Sequence, residues 1–138
     1  MARLLHDFNT EFSEPVPDVD VLAERIAQFI EVDEATFLLV GVGPDGVAEI
    51  RLRPSIMTGA LDAYLEELYV SPAKRGQGLG RALLEAAMVV AREQGATRME
   101  LGTSEDDVAA RSLYESAGFS DREGKPDGPV MFFYERDL

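Results

Sequence analysis

Apolar side chains recur at intervals of three and four residues over positions 4–12 and again over 22–30, the period of a helix with one buried face. Leu4, Leu5, Phe8 and Phe12 predict a short first helix that Pro15 and Pro17 end, and Leu22, Ile26, Phe29 and Ile30 predict a second from Asp20 to Glu31, with Asp18 or Asp20 capping its start. The pattern then turns strand-like. Residues 35–42 (ATFLLVGV) are an apolar run of strand length, Gly43-Pro44-Asp45-Gly46 suits a tight turn, and Val47 to Arg53 alternates Ala48, Ile50 and Leu52 with Glu49, Arg51 and Arg53. A hairpin is expected, with the charged set facing solvent. After a loop over Pro54 to Gly59, residues 60–70 (ALDAYLEELYV) supply a third strand that carries two adjacent acids, Glu66 and Glu67, in its middle. The helical period returns from Gly80 to Gln94, with Leu79, Leu83, Ala86, Ala87 and Val90 on one face and Gly95 placed for a left-handed cap. Thr97 to Thr103 alternates again, so residues 60–103 read as a strand–helix–strand crossover with parallel pairing. Ser104 and Asp107 resemble a capping box for a helix that runs through Ala117 and stops at Gly118. Phe119 onward and Val130 to Glu135 (VMFFYE) read as a last pair of strands around a Gly/Pro loop at 124–129.

No repeat and no Gly/Ser-rich linker interrupts this order, and 138 residues suit one domain over positions 1–138. A hydrophobic fraction of 46% beside 28% charged residues is that of a folded soluble protein and excludes disorder. Met1 to Asp7 holds no secretory apolar core and no run approaches membrane-spanning length, so a cytoplasmic protein with no membrane partner is expected. The absence of cysteine excludes disulfides, thiolate metal sites and a cysteine nucleophile. The one histidine, His6, lies beside Asp7 in a peripheral segment, which leaves little for a Ser-His-Asp hydrolase or a multi-histidine metal site, and no metal is expected. With 26 acidic against 13 basic residues the net charge is −13. Such a chain repels nucleic acid and anionic membranes and attracts a small cationic substrate, although the same charge also serves solubility.

One stretch runs against that charge. The window from Ser71 to Leu84 contains Lys74, Arg75 and Arg81 and no acid, and within it Arg75-Gly76-Gln77-Gly78-Leu79-Gly80-Arg81 lies between a predicted strand and a predicted helix. Alternate glycines let successive amides point into one concavity, and a helix start adds unsatisfied N–H groups and the positive end of its dipole. The product is an anion cradle. A Walker loop is excluded, because the only Gly-Lys pair, Gly124-Lys125, is followed by Pro126; the dinucleotide fingerprint is excluded, because its third glycine position holds Arg81 or Leu83.

These residues carry a family resemblance. The segment LEELYVSPAKRGQGLGRALLEAA, followed by ARSLYESAGF, resembles the GCN5-related N-acetyltransferase (GNAT) superfamily, whose cofactor loop (Arg/Gln)-x-x-Gly-x-(Gly/Ala) is matched by Gln77-Gly78-Leu79-Gly80 with Arg75-Gly76 before it. The match is sharp over residues 61–119 and looser over 20–138. It implies an α/β (α+β) fold, with a mixed, mostly antiparallel sheet flanked by helices and a central βαβ unit for the cofactor. The implied activity is transfer of an acetyl group from acetyl-coenzyme A to an amine. By that resemblance Leu68, Tyr69 and Val70 line the pantetheine arm, amides from Arg75 through Gly76, Gln77, Gly78 and Leu79 to Gly80, with Arg81 next, hold the pyrophosphate, and the Lys74 and Arg75 side chains reach the outer phosphates. Tyr114 matches the family tyrosine that protonates the departing thiolate.

The chemistry also asks for a base, since an amine of pKa near 10.4 is free in roughly one molecule in 2,500 at pH 7. Glu66 and Glu67 occupy the strand where relatives carry such a glutamate. Regular alternation puts only one of them in the cleft, a bulge would reverse which one, and similarity to Leu-Glu-(Gly/Glu) segments favours Glu66. With no cysteine or activated serine, direct attack in a ternary complex is expected. Two departures stand out. Asp107 occupies the place, seven residues before Tyr114, where the family often has a cofactor-contacting asparagine, and the chain opens on a helix where the family usually opens on a strand. The acceptor wall from that end is therefore expected to be unusual or completed by a second subunit, and dimers are common in the family. The acceptor class stays open among aminoglycosides, polyamines, amino acids and protein amines, although LEELYV is similar to the matching strand of aminoglycoside-modifying members. The rival readings are a non-catalytic acyl-coenzyme A sensor and an acyl carrier of longer chains.

Overall fold

In the computed structural model, which describes residues 1–138, the chain forms two compact units, Met1–Leu101 and Gly102–Leu138. In the first, the two amphipathic segments become α1 (Ala2–Glu11) and α2 (Val19–Glu31). Asp18 holds the N-cap position of α2, yet its side chain makes no capping hydrogen bond, and Asp20 lies inside the first turn, where its charge favours the helix dipole. Strands β1 (Thr36–Val40), β2 (Gly46–Pro54) and β3 (Leu61–Val70) form an antiparallel run, and β4 (Ala96–Leu101) joins β3 in parallel through helix α3 (Leu79–Glu93). The mixed, mostly antiparallel sheet has the order β1-β2-β3-β4, and the βαβ crossover is formed as the sequence predicts.

Helices cover both faces of the β2–β3 centre. Val47 and Tyr69, opposite each other in the register, pack with Leu4 and Leu5 of α1 and Ile26 of α2. Gly46, one position along, turns the other way, and a Cβ there would meet Leu83 of α3 at 3.1 Å. The buried face of α3 is Leu83, Leu84, Ala87 and Ala91; Ala86, expected on that face, is exposed, a rotation of the stripe that lets the helix present its two adjacent leucines to the sheet. The expected alternation of β2 fails over its first half. Residues Gly46 to Ile50 are all buried, because both faces of the central strand are covered there.

In the second unit α4 (Val108–Ser116) begins later than expected. Asp107 is its N-cap, and the carboxylate accepts from the Ala110 amide at 2.9 Å, so the capping residue is Asp107 and not Ser104. Residues after Gly118 do not form the expected strand pair. Only one bridge, Arg122 to Val130, is made, and Phe132, Phe133 and Tyr134 are exposed. An apolar run becomes a strand only where a neighbouring strand takes its backbone groups, and this unit contains no such neighbour. No helix of the chain is long and apolar enough to cross a membrane.

Gly46 shows how tightly the first unit is packed. An added Cβ would sit 2.8 Å from the Tyr69 carbonyl oxygen and 3.0 Å from Val40, both fixed by the sheet. Gly46→Ala is therefore expected to cost about 1–3 kcal/mol, read as a lowered urea midpoint with an unchanged m-value.

Candidate active site

The β2–β3 ladder shifts between Glu49 and Ile50: Glu49 pairs with Glu67, while the next residue, Ile50, pairs with Leu65. Glu66 is the extra residue, a bulge in β3. In uninterrupted alternation with Leu65, which opposes Ile50, Glu67 and Tyr69 would face α3. The inserted residue reverses the phase, and Tyr69 lies in the cluster of α1 and α2. Glu67 shares that side of the sheet with its partner Glu49. Arg51 stands there too, with its Nε 3.1 Å from Glu49 Oε1 and 3.6 Å from Glu66 Oε1, and its guanidinium 4.8 Å from the centre of the Phe29 ring of α2. The bulge, which the sequence left open, turns both Glu66 and Glu67 toward the face of Arg51.

Their environments differ. Glu66 is exposed beside Arg51, whereas burial, reinforced by the charges of Glu49 and Glu66, pushes the Glu67 carboxyl up to about 7. Glu49 is raised as well, chiefly by burial and against the pull of Arg51. For Glu67 the neutral form is favoured in the folded protein, so this contribution to stability is complete below the ordinary glutamate value and is lost as pH rises through about 7. A carboxyl that changes charge near neutral pH can accept a proton and release it again under working conditions.

At its C-terminal end β3 leads through a 3₁₀ turn, Pro72–Lys74, into the glycine loop. Gly76 and Gly78 have φ of 73° and 82°, and a Cβ at either would meet nothing within 4 Å, so the concave side is open to a ligand. At the start of α3 the Ala82 amide donates to the Gly78 carbonyl at 3.0 Å. Those of Gly76, Gln77, Gly78, Leu79 and Gly80 precede it, at the positive end of the α3 dipole. The loop fits a diphosphate of the acetyl-coenzyme A type through its main chain.

The two cations ahead of it have other partners. The Arg75 guanidinium forms a two-point ion pair with Glu11 of α1, both contacts at 2.7 Å, while its Nε donates to the Val70 carbonyl at 2.9 Å and its plane lies 5.5 Å from the Tyr69 ring centre. Tyr69 donates to the same Glu11 carboxylate at 3.3 Å, and Arg75 holds that carboxyl below its usual range. Lys74 Nζ lies 3.8 Å from Asp45, whose carbonyl also accepts from the Ser71 amide at 2.9 Å. These contacts of the two side chains brace the loop. Arg81, at the first turn of α3, lies 3.9 Å from Glu85.

In the second unit Tyr114 is half-buried on α4 with the Phe119 ring 6.1 Å away, and the Phe119 amide closes the helix on the Tyr114 carbonyl at 3.0 Å. Asp107 gives one carboxylate oxygen to its capping bond. Sequence reasoning missed Glu49, Arg51 and Phe29 on the acidic face and Glu11 at the loop. The first was hidden by the assumption of regular alternation, and the last lies 64 residues from Arg75.

Comparison with known proteins agrees with this architecture. The model of the acetyltransferase (GNAT) family matches residues 1–119. Over 113 residues the chain is 32% identical to the aminoglycoside N(6')-acetyltransferase type 1 of Stenotrophomonas maltophilia, covering 78% of this chain and 74% of that protein. The enzyme of the same name from Klebsiella aerogenes is 36% identical over 106 residues, 70% of this chain and 69% of its own. A crystal structure from Arthrobacter sp. FB24, assigned as an acetyltransferase, superposes with a TM-score of 0.89 at 40% identity, covering 99% of this chain and 87% of that one.

The open concavity at Gly78 makes a specific demand. Gly78→Val places a branched side chain at φ 82° and fills the cradle. Strain and lost approach together are expected to weaken acetyl-coenzyme A binding by at least about tenfold in calorimetry.

Proposed function

The chain belongs to the acetyltransferase (GNAT) family, and from that premise we propose that its acceptor is a small cationic amine, drawn to the face of Glu49, Glu66 and Glu67 and deprotonated by Glu67. The donor is acetyl-coenzyme A and the product an N-acetylated amine. The observation that carries the base assignment is the bulge, which sets Glu67 opposite Glu49 where burial brings its carboxyl to about 7. Glu66, exposed at the bulge and 3.6 Å from Arg51, is the second choice on this reading.

The remaining residues take roles that follow from their positions. Amides of residues 76–80 hold the diphosphate, and the main chain of Leu68 to Val70 runs beside the pantetheine arm. When bound, the donor supplies a thioester carbonyl as electrophile. Glu67 takes a proton from the ammonium, directly or through a water, and the free amine attacks without a covalent enzyme intermediate, since the chain has no cysteine to form one. The carbon–sulfur bond then breaks and the sulfur takes a proton from Tyr114, a role supported by the likeness of Leu113-Tyr114-Glu115 to the family motif. The two compact units act as one acetyltransferase on this reading, as the extent of the family match suggests.

The aminoglycoside acetyltransferases among its relatives and the net charge of −13 both favour polyamines and aminoglycosides over neutral or anionic amines. A thiol-release assay over such a panel is expected to give turnover with the multiply charged acceptors; release of no thiol with any amine, in a protein that binds coenzyme A, would leave a sensor. For the best acceptor, kcat/KM is expected to rise with pH through about 7. Glu67→Gln should lose that limb and about 10²–10⁴-fold in rate, whereas Glu66→Gln keeps the limb. Tyr114→Phe is expected to lower kcat by about 10–100-fold with little change in acetyl-coenzyme A affinity, measured by single-turnover kinetics beside calorimetry.

A further inference from the structure

Glu49 takes no part in the proton transfers above, yet it is the one charged side chain of the buried set, 8% exposed in the middle of the central strand. A buried carboxylate is costly unless paired, and like charges directly opposite on neighbouring strands destabilise a sheet. Both conditions meet at Glu49. On one side it accepts from Arg51 Nε at 3.1 Å, and across the ladder it faces Glu67. The Arg51 guanidinium thus contacts two carboxylates, Glu49 and Glu66, while the third, Glu67, lies across the ladder from Glu49. From α2 the patch receives Phe29, against which Arg51 is held. From α1 the nearest charges, Glu11 and Asp7, bear on Tyr69, and those that bear on Glu67 are Glu49 and Glu66.

We propose that Glu49 is a positioning residue for acetyl transfer: fixed by Arg51 opposite Glu67, its buried charge makes proton acceptance by Glu67 depend on the arrival of a cationic acceptor. The inference rests on Glu67 being the base. In the free protein the charge of Glu49 opposes the ionisation of Glu67. An incoming ammonium supplies the positive charge that the patch lacks, which favours the ionised state of Glu67 at the moment the amine is in place. A neutral acceptor supplies no such charge. Glu49 thereby discriminates among amines without touching the reacting atoms.

The test uses Glu49→Gln in the full-length protein and two readings of the same proton. Carboxyl carbon NMR follows the Glu67 midpoint in the folded, ligand-free protein, and initial rates follow the limb of kcat/KM. Both are expected to move to lower pH by about one unit in Glu49→Gln and to stay in place in Glu49→Asp, which keeps the charge. The preference for a diamine over a neutral-tailed monoamine should narrow in the Gln variant. If Gln proves incompatible with folding, Glu49→Met, of similar length and without a polar group to bury, makes the same charge change. A Glu67 midpoint that does not move in the folded variant overturns the proposal and leaves Glu67 as the base. A wild-type rate limb that fails to coincide with the Glu67 midpoint overturns the base assignment, and the role of Glu49 with it.

Discussion

The single inserted residue in β3 is the constraint from which the chemistry of the first unit follows. Because side chains alternate with a period of two, one extra residue inverts every position beyond it. Glu66 is that residue, and its insertion lets Leu65 remain opposite Ile50 while Glu67 and Tyr69 turn toward α1 and α2. Without it, Tyr69 could not join Leu4, Leu5 and Ile26, and the carboxyl of Glu67 would be directed at the apolar face of α3. The bulge thus serves packing and chemistry together. It fills the α1–α2 core with an aromatic ring and sets two carboxylates face to face on the same side.

The glycine loop shows a division of labour that charge counting alone would misread. Three cations in a window without acids look like a phosphate site built from side chains, yet Arg75 is held by Glu11 and Val70, and Lys74 lies against Asp45. An exposed ion pair is ordinarily worth little, but the two-point geometry at Glu11, shared with Tyr69, fixes direction as well as charge. The carboxylates that engage these cations come from α1 and from the β1–β2 turn. The loop is thereby tied to two separate elements of the first unit.

How far the residues announced all this depends on whether the signal was local. The helix α3, its left-handed ending at Gly95, the parallel crossover and the glycine cradle are written in contiguous residues, so period and glycine spacing were enough to read them. The pair Glu66-Glu67 was visible as an oddity in an otherwise apolar strand, but which face each acid takes depends on one insertion that alternation cannot encode. Glu49 was hidden for the related reason that a strand covered on both faces has no solvent side for its charged positions. The partners of Arg75 and Lys74 lie far away in sequence, and only the fold brings them near. The segment VMFFYE carries the composition of a strand, yet pairing is a property of two segments, and its own unit offers only the bridge at Val130.

Strand β3 joins these themes because it addresses two different charges along its length. Its middle, through Glu67 and its neighbours on β2, presents negative charge to the α1–α2 face, and its end delivers the chain into a loop whose amides and helix dipole are positive. Opposite potentials are thus held a few residues apart on a rigid ladder, in a chain whose net charge of −13 would otherwise favour cations everywhere. A strand buried between helices keeps that separation fixed, since its residues cannot relax toward one another without breaking the sheet. The two potentials along β3 are thereby kept apart by the sheet itself.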